Sequence, residues 1–176
     1  MASKKGIGVT IAVLVGVVAA SFLVYLIPED TTMKIVVSDF KKYLDNTKEK
    51  AMLESVSIDE SFEKLMEKKM SPNEYIGIAK VSSSQINSLI IELTDSGATQ
   101  EWVESYVNYI NALKKLNEKI TETIVVANLM NEINSIDCDE ECIDSMDRRL
   151  NELIPKVYEL RAESLELIEK SNNSRP

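Results

Sequence analysis

The chain has 176 residues, with 20 cationic side chains, 29 acidic side chains and no histidine, and its net charge is −9. The absence of histidine removes the usual general base and the commonest metal ligand, and it excludes His-ligated haem and the carboxylate–histidine sites of di-iron bundles. Only five glycines occur, and the sequence has no phosphate-binding loop, nucleophile elbow or dinucleotide fingerprint. The composition therefore predicts a protein that is not an enzyme and that has neither a catalytic residue nor a bound cofactor.

Residues 7–27 form an unbroken apolar run. A run of about 20 uncharged apolar residues matches the hydrocarbon thickness of a bilayer, so the sequence predicts a transmembrane helix in contact with membrane lipid. Lys4 and Lys5 precede this run, and Glu29 and Asp30 follow it. Because positive residues stay on the cytoplasmic side, we expect a single-pass protein of the cell membrane with a cytoplasmic amino terminus and an extracytoplasmic carboxyl domain.

This topology divides the chain into four parts. They are a cytoplasmic stub (1–6), an uncleaved signal anchor (7–27), an extracytoplasmic helical bundle (28–170) and a disordered tail (171–176). A cleaved signal peptide is the main alternative, because Val18-Ala19-Ala20 resembles a cleavage site, but the apolar run exceeds the roughly 7–15 residues of a signal h-region. A pilin-type leader cut after Gly6 ranks third, because archaeal pilin heads are β-rich and the rest of this chain is predicted to be helical.

The outer part of the chain is strongly acidic. Lys4 and Lys5 are the only charged residues before Glu29, so 18 cations and 29 acids remain, which is a net charge of −11. Such a surface repels nucleic acid and anionic lipid. No nucleic-acid partner is therefore expected.

Three amphipathic segments, one of them short, follow the anchor. The first runs from about Thr31 to Val56, and the short one follows Ser57-Ile58-Asp59-Glu60, which has the pattern of a capping box. The third begins at Ser71-Pro72-Asn73-Glu74, with an N-cap serine and a proline at the first helical position, and it stops at Gly97. Their apolar faces are Met33, Val36, Phe40, Tyr43 or Leu44, and Ala51 in the first; Phe62, Leu65, Met66 and Met70 in the second; and Tyr75, Ala79, Ile86, Leu89 or Ile90, and Leu93 in the third.

Two longer helices complete the chain. Thr99 is predicted to cap the first of them, and the second begins after Asp137. Their apolar residues recur at spacings of three and four, as antiparallel helix packing requires, and this rhythm is broken only at Ser164 in the last helix. The stripe of the last helix keeps its phase across Pro155, which predicts one kinked helix rather than two. The two stripes are Tyr106, Tyr109, Leu113, Leu116, Ile120, Thr123, Ala127 and Met130, and then Ile143, Met146, Leu150, Leu153, Val157, Leu160 and Leu167.

The sequence has no strand-like alternation and no long Gly/Pro linker, and its connections are short enough to join antiparallel neighbours. The predicted fold is all-α: an amino-terminal transmembrane helix followed by an up-and-down four-helix bundle with one extra short helix. Roughly 145 residues suffice to bury a core without staples.

The one cluster that suggests a site is Asp137-Cys138-Asp139-Glu140-Glu141-Cys142. Outside the cytoplasm two thiols seldom stay reduced, so a disulfide between Cys138 and Cys142 is the leading interpretation. Four-residue spacing on an ideal helix leaves the Cβ atoms too far apart, so the bond requires a distorted first turn. A pair of free thiols is the second interpretation.

Two metal sites rank below these interpretations. Cys138, Cys142 and Met146 stand one turn apart on a regular helix, and soft sulfur ligands suit Cu(I). Met146 also belongs to the apolar stripe, however, and core packing is the commoner fate of such a methionine. The acidic residues of the cluster resemble the start of an EF-hand loop, but Cys142 stands where that loop needs glycine.

The beginning of the chain carries a resemblance to a known group of proteins. Lys4-Lys5-Gly6-Ile7-Gly8, followed by an apolar helix that ends in Ile27-Pro28-Glu29, resembles small anchored helical proteins of ammonia-oxidising archaea. Helical accessory subunits of archaeal ammonia monooxygenase are similar in architecture, with single anchors and outer helices. The resemblance covers mainly residues 4–29 and transfers no functional residue. It implies that the partners are integral, copper-containing subunits, and it favours the copper interpretation of the sulfur cluster.

A single anchor with one outer helical domain does not match a signalling receptor, which needs a second span and a cytoplasmic output. We therefore expect a binding or scaffolding role, as an accessory or structural subunit of a membrane protein complex. The alternative is a free-standing cell-surface binding protein or a pilin-like surface protein.

Overall fold

The computed structural model describes residues 37–135 and 140–176, which contain four helices and no strand. The helices are α1 (Phe40–Met66), α2 (Pro72–Ser96), α3 (Val103–Ser135) and α4 (Glu140–Asn173). All of these residues belong to one compact unit, Lys34–Pro176. The prediction of an all-helical chain is confirmed for this part. The predicted stub and anchor lie outside the described residues, and within 37–135 and 140–176 no helix combines the length and the apolarity that crossing a bilayer requires.

Each helix runs antiparallel to the next one along the chain. As residue numbers rise in one helix, the numbers of their hydrogen-bonded partners in the neighbouring helix fall. Between α1 and α2 the pairs are Tyr43 with Glu92 and Glu54 with Ser82; between α2 and α3 they are Ser83 with Asn117 and Asn73 with Asn131; between α3 and α4 they are Ser105 with Ser171, Ala112 with Ser164 and Glu122 with Lys156. The first and last helices are therefore also antiparallel to one another.

The third helix lies against all three others. It buries two overlapping stripes rather than one, which share Leu116 and Thr123, and their spacings are three or four residues apart from seven between Ser105 and Ala112. The predicted stripe from Tyr106 to Ala127 is buried throughout, and Met130 is half-buried. The second stripe is Ser105, Ala112, Leu116, Lys119, Thr123 and Val126. A helix with so wide a buried face forms the centre of the core.

The predicted break in the first helix is wrong, because α1 continues without interruption to Met66. The helix begins at Asp39, whose side chain accepts a hydrogen bond from the backbone N–H of Lys42 at 2.9 Å. Ser57 therefore lies in the middle of the helix and caps nothing. No glycine or proline stands between the two predicted segments, and a single buried stripe crosses the boundary. Continuing the helix therefore costs less free energy than ending it and starting a new one. The stripe is Leu44, Thr47, Ala51, Ile58, Ser61, Phe62 and Leu65.

The boundaries of α2 follow the predicted signals. The hydroxyl of Ser71 accepts from the backbone N–H of Glu74 at 3.3 Å, and Pro72 occupies the first helical position. The helix ends before Gly97, whose φ of +58° is strained for any residue with a Cβ. All the predicted core residues of this helix are buried, with Leu89 more so than Ile90.

The last helix is continuous across Pro155, as predicted. Val157 and Leu160, which follow the proline, are buried. The prediction of a disordered tail from residue 171 is wrong. The helix extends to Asn173, and Ser171 is fully buried. The backbone carbonyl of Ser171 accepts a hydrogen bond from the hydroxyl of Ser105 at 2.7 Å. The small polar residues at this end of the sequence are typical of a frayed tail. In the structure Ser171 and Ser174 form hydrogen bonds with Ser105 and Asn108 of α3.

Two isoleucines of α2 allow a matched test of this packing. Ile86 is fully buried, whereas Ile91 is 59% exposed on the same helix. Ile86→Asp should lower the free energy of unfolding by about 4 kcal/mol or more, because it places an unpaired carboxylate in the core, whereas Ile91→Asp should change it by less than about 0.5 kcal/mol. Urea unfolding of the full-length protein, followed by circular dichroism, measures both. Equal midpoints for the two variants would contradict the assigned packing of α2.

Candidate functional site

The seam between α1 and α4 is open. No Cα atom of α1 lies within 8 Å of a Cα atom of α4, although each of them contacts α3, α4 far more extensively than α1. Polar side chains bridge the two helices at the two ends of this seam: Asp45 with Arg175 at 2.7 Å and Lys48 with Asn172 at 2.6 Å at one end, and Asp59 with Arg161 at 3.2 Å at the other. Between these bridges, the described residues of α1 and α4 exchange no hydrogen bond and no ion pair. The result is a groove that we call the α1–α4 groove.

The α1–α4 groove is an apolar cavity of about 350 Å³. Its floor comes from α3 and its two walls from α1 and α4. The floor is formed by Tyr109, Ala112, Leu113 and Leu116, and the walls by Ala51, Met52, Ser55 and Val56 on one side and Ser164, Leu165 and Ile168 on the other. The small side chains Ala51, Ala112 and Ser164 leave the space open. Three large apolar residues stand exposed at its rims, Met52 with 68%, Leu165 with 57% and Val56 with 45% of their surface exposed.

A buried ion pair closes one end of the groove. Lys119, on the second stripe of α3, is 2% exposed and donates to the carboxylate of Asp59 on α1. Arg161 of α4 binds the other carboxylate oxygen. Burial lowers the pKa of Lys119, and the hydrogen bond that its amine donates to Asp59 partly opposes that shift by favouring the charged amine. Asp59 thus joins α1 to both α3 and α4.

The other end of the groove holds Lys48. Its amine donates to the amide oxygen of Asn172 at 2.6 Å and lies 5.0 Å from the centroid of the Tyr109 ring. The pKa of Lys48 is lowered to about 8, mainly by burial and then by the nearby charge of Arg175, while Asp45 partly opposes both effects. Asp45 itself is bound by Arg175.

The groove differs in charge from the rest of the molecule. Lys48 and Arg161 line it, and Asp59 is the one carboxylate among its lining residues. That carboxylate already binds two cations, Lys119 and Arg161. In a chain of net charge −9, this apolar groove therefore carries a local excess of positive charge.

Sequence analysis missed these residues. Lys119 stands three residues after Leu116 and four before Thr123, so it occupies a core position of the second stripe. A lysine at such a position is a signal for a buried ion pair, because an unpaired ammonium group is too costly to bury. The capping-box pattern predicts that Asp59 lies at a helix start, whereas in the structure it lies within α1 and binds Lys119.

The predicted sulfur site falls only partly within the described residues. Cys142 and Met146 lie one turn apart near the start of α4, and both are half-exposed. Cys138 lies outside the described residues. The disulfide between Cys138 and Cys142 and the copper site formed with Met146 both remain predictions. In residues 37–135 and 140–176, no group of three or more His, Cys, Asp or Glu side chains is placed to hold a metal ion.

Comparison with protein-family models, with curated proteins and with solved structures finds no match for this chain.

The buried ion pair predicts a specific pattern of stabilities. Asp59→Asn leaves the Lys119 amine buried without a carboxylate and should lower the free energy of unfolding by about 3–5 kcal/mol. Combining Asp59→Asn with Lys119→Met should restore most of the loss, because no charge then needs a partner in the core. Glu122→Gln, which breaks an ion pair with the half-exposed Lys156, should cost about 1 kcal/mol or less. Denaturant unfolding of the four proteins measures these differences, and a double variant no more stable than Asp59→Asn alone would refute the assignment.

Proposed function

We propose that this chain is a non-enzymatic, membrane-anchored protein whose extracytoplasmic helices form an up-and-down four-helix bundle. In this proposal it acts as an accessory or structural subunit of a membrane protein complex. Residues 7–27 span the membrane, and the α1–α4 groove binds the partner protein. The observation that carries the proposal is the open, apolar groove with exposed apolar rims.

Several properties of the groove support binding to a protein. Large apolar residues exposed near one another on an otherwise acidic surface mark interaction sites, and Met52 and Leu165 are exposed on opposite walls of the same groove. The core of a typical interface is apolar with few charges at its centre and polar groups at its rim. The α1–α4 groove has this composition, because its charged residues lie only at its two ends.

The sequence supports the membrane part of the proposal. Residues 7–27 have the length and apolarity of a span, and the lysines before them and the acids after them favour an extracytoplasmic bundle. The resemblance of residues 4–29 to anchored helical proteins of ammonia-oxidising archaea favours ammonia monooxygenase as the complex.

Native gel electrophoresis of membranes solubilised in mild detergent tests this function. The full-length protein should migrate with a large membrane assembly. Combining Met52→Asp with Leu165→Asp places two charges at the groove rims and should release the protein from the assembly, without loss of stability, because both residues are exposed. Val81→Asp is the matched control, because Val81 is 59% exposed on α2 and does not line the groove.

The contrary results are equally clear. A wild-type protein that migrates as a monomer or small homo-oligomer would support the free-standing surface protein instead. An assembly that retains the double variant as well as it retains Val81→Asp would show that the groove is not the binding surface.

A further inference from the structure

We propose that the segment bound in the α1–α4 groove is an amphipathic helix of the partner protein that places a carboxylate beside Lys48. This inference rests on the proposed function and specifies the chemistry of the partner. The length of the groove, the hydrogen-bonding capacity of its walls and its charge each support it.

The dimensions of the groove suit a short stretch of helix. Its α1 wall runs from Lys48 to Asp59, twelve residues that span about 16 Å along the helix axis, or about three turns. A bound helix would project side chains at positions i, i+3 or i+4, and i+7 into the space between the walls. The cavity of about 350 Å³ accommodates a few such side chains, while the helix itself rests on the rims at Met52 and Leu165.

The walls of the groove favour a helix over an extended peptide. An extended peptide has to find partners for its backbone N–H and C=O groups when it is buried. The walls are helices whose own backbone groups are already paired, and between the two ends the polar side chains that these walls offer are Ser55 and Ser164. The Ser164 hydroxyl already donates to the carbonyl of Ala112 at 2.9 Å. A helix satisfies its backbone internally and presents only side chains to this surface.

The charges in the groove favour an acidic residue on that helix. Lys48 contacts an amide oxygen and an aromatic face, but no carboxylate among the described residues binds its amine. The nearest acid, Asp45, is held by Arg175, and Asp59 is held by Lys119 and Arg161. Closing the groove with a partner would remove water from Lys48 and raise the cost of its charge. A carboxylate from the partner compensates that cost, and it is the chemistry that distinguishes the correct partner from a merely apolar one.

The low pKa of Lys48 makes the pairing directly testable. With a pKa of about 8, a minor fraction of this amine is neutral and nucleophilic near neutral pH, and that fraction is larger than for an ordinary lysine. A water-soluble carbodiimide joins an amine to a carboxylate in contact with it, forming an amide bond and transferring the lost water to the reagent. The full-length protein in its native membranes is treated with carbodiimide, and peptides linked through Lys48 are identified by mass spectrometry.

Two measurements together constitute the expected result. Lys48 should be linked to an Asp or Glu of another protein, within a segment whose apolar residues recur at spacings of three and four. A synthetic peptide of that segment should bind the purified full-length protein, and Lys48→Met or amidation of the linked acid should weaken binding at least about tenfold. Lys48→Arg should retain the affinity and abolish the link. Lys50→Met is the matched control, because Lys50 is exposed on the same helix outside the groove and should leave the affinity unchanged.

Each other outcome overturns the inference. Lys48 recovered unlinked or linked only to Asp45 would show that no partner carboxylate reaches it. A link to a fatty acyl carboxylate would identify a small amphiphile as the ligand, and a link to a second copy of this chain would identify self-association. A peptide that binds Lys48→Met as tightly as the wild type would show that the contact is incidental. If the rim variants still release the protein from the assembly in any of these cases, the proposed function stands and only the acidic helix is refuted.

Discussion

The packing of this bundle depends on the ion pair between Lys119 and Asp59. It allows a charged side chain of α3 to be buried in the core, and it fixes α1 against α3. α3 packs on all three other helices, so it buries a second stripe on which Lys119 stands. A buried ammonium group is tolerated only with a carboxylate partner, and Asp59 supplies it from α1. That contact requires α1 to remain helical through position 59, and Arg161 then binds the same carboxylate from α4.

The open groove follows from the same arrangement. α1 and α4 both contact α3, and the hydrogen bonds and ion pairs between α1 and the last part of the chain lie at the two ends of the seam. Small residues on the facing sides, such as Ala51 and Ser164, do not fill the space between them. A large side chain at either position would have closed the seam. The apolar surface that remains, with Met52 and Leu165 exposed beside it, is what a partner can cover.

Spacing and capping signals predict most of this fold. The stripes of α2 and α3, the serine cap at Ser71 and the continuity of α4 across Pro155 all follow from local rules that read a few residues at a time. The errors arose where tertiary contacts outweigh local signals. Ser57 and its neighbours have the composition of a helix start, but the buried stripe of α1 carries the helix through them. The prediction of a disordered tail was wrong for a similar reason, because Ser171 is hydrogen-bonded to Ser105, a residue 66 positions earlier in the chain.

The candidate groove could not be predicted, because it depends on which pair of helices fails to meet. Periodicity shows that a face is apolar, but it does not show how far apart two faces stand. Lys119 was the one available clue, as a charged residue in phase with core residues. The sulfur cluster, which the sequence made prominent, remains a prediction about the turn before α4.

Hydrogen exchange of the full-length protein, free and in its native membrane assembly, tests the central claim most directly. If the α1–α4 groove binds the partner, assembly should slow amide exchange in residues 48–59 of α1 and 161–168 of α4, since covering the groove suppresses local opening of its walls. The outer face of α2 around Val81 and Ile91 should be unaffected. Slowing that is confined to α2, or exchange that is the same in the free and assembled protein, would contradict this account of the groove.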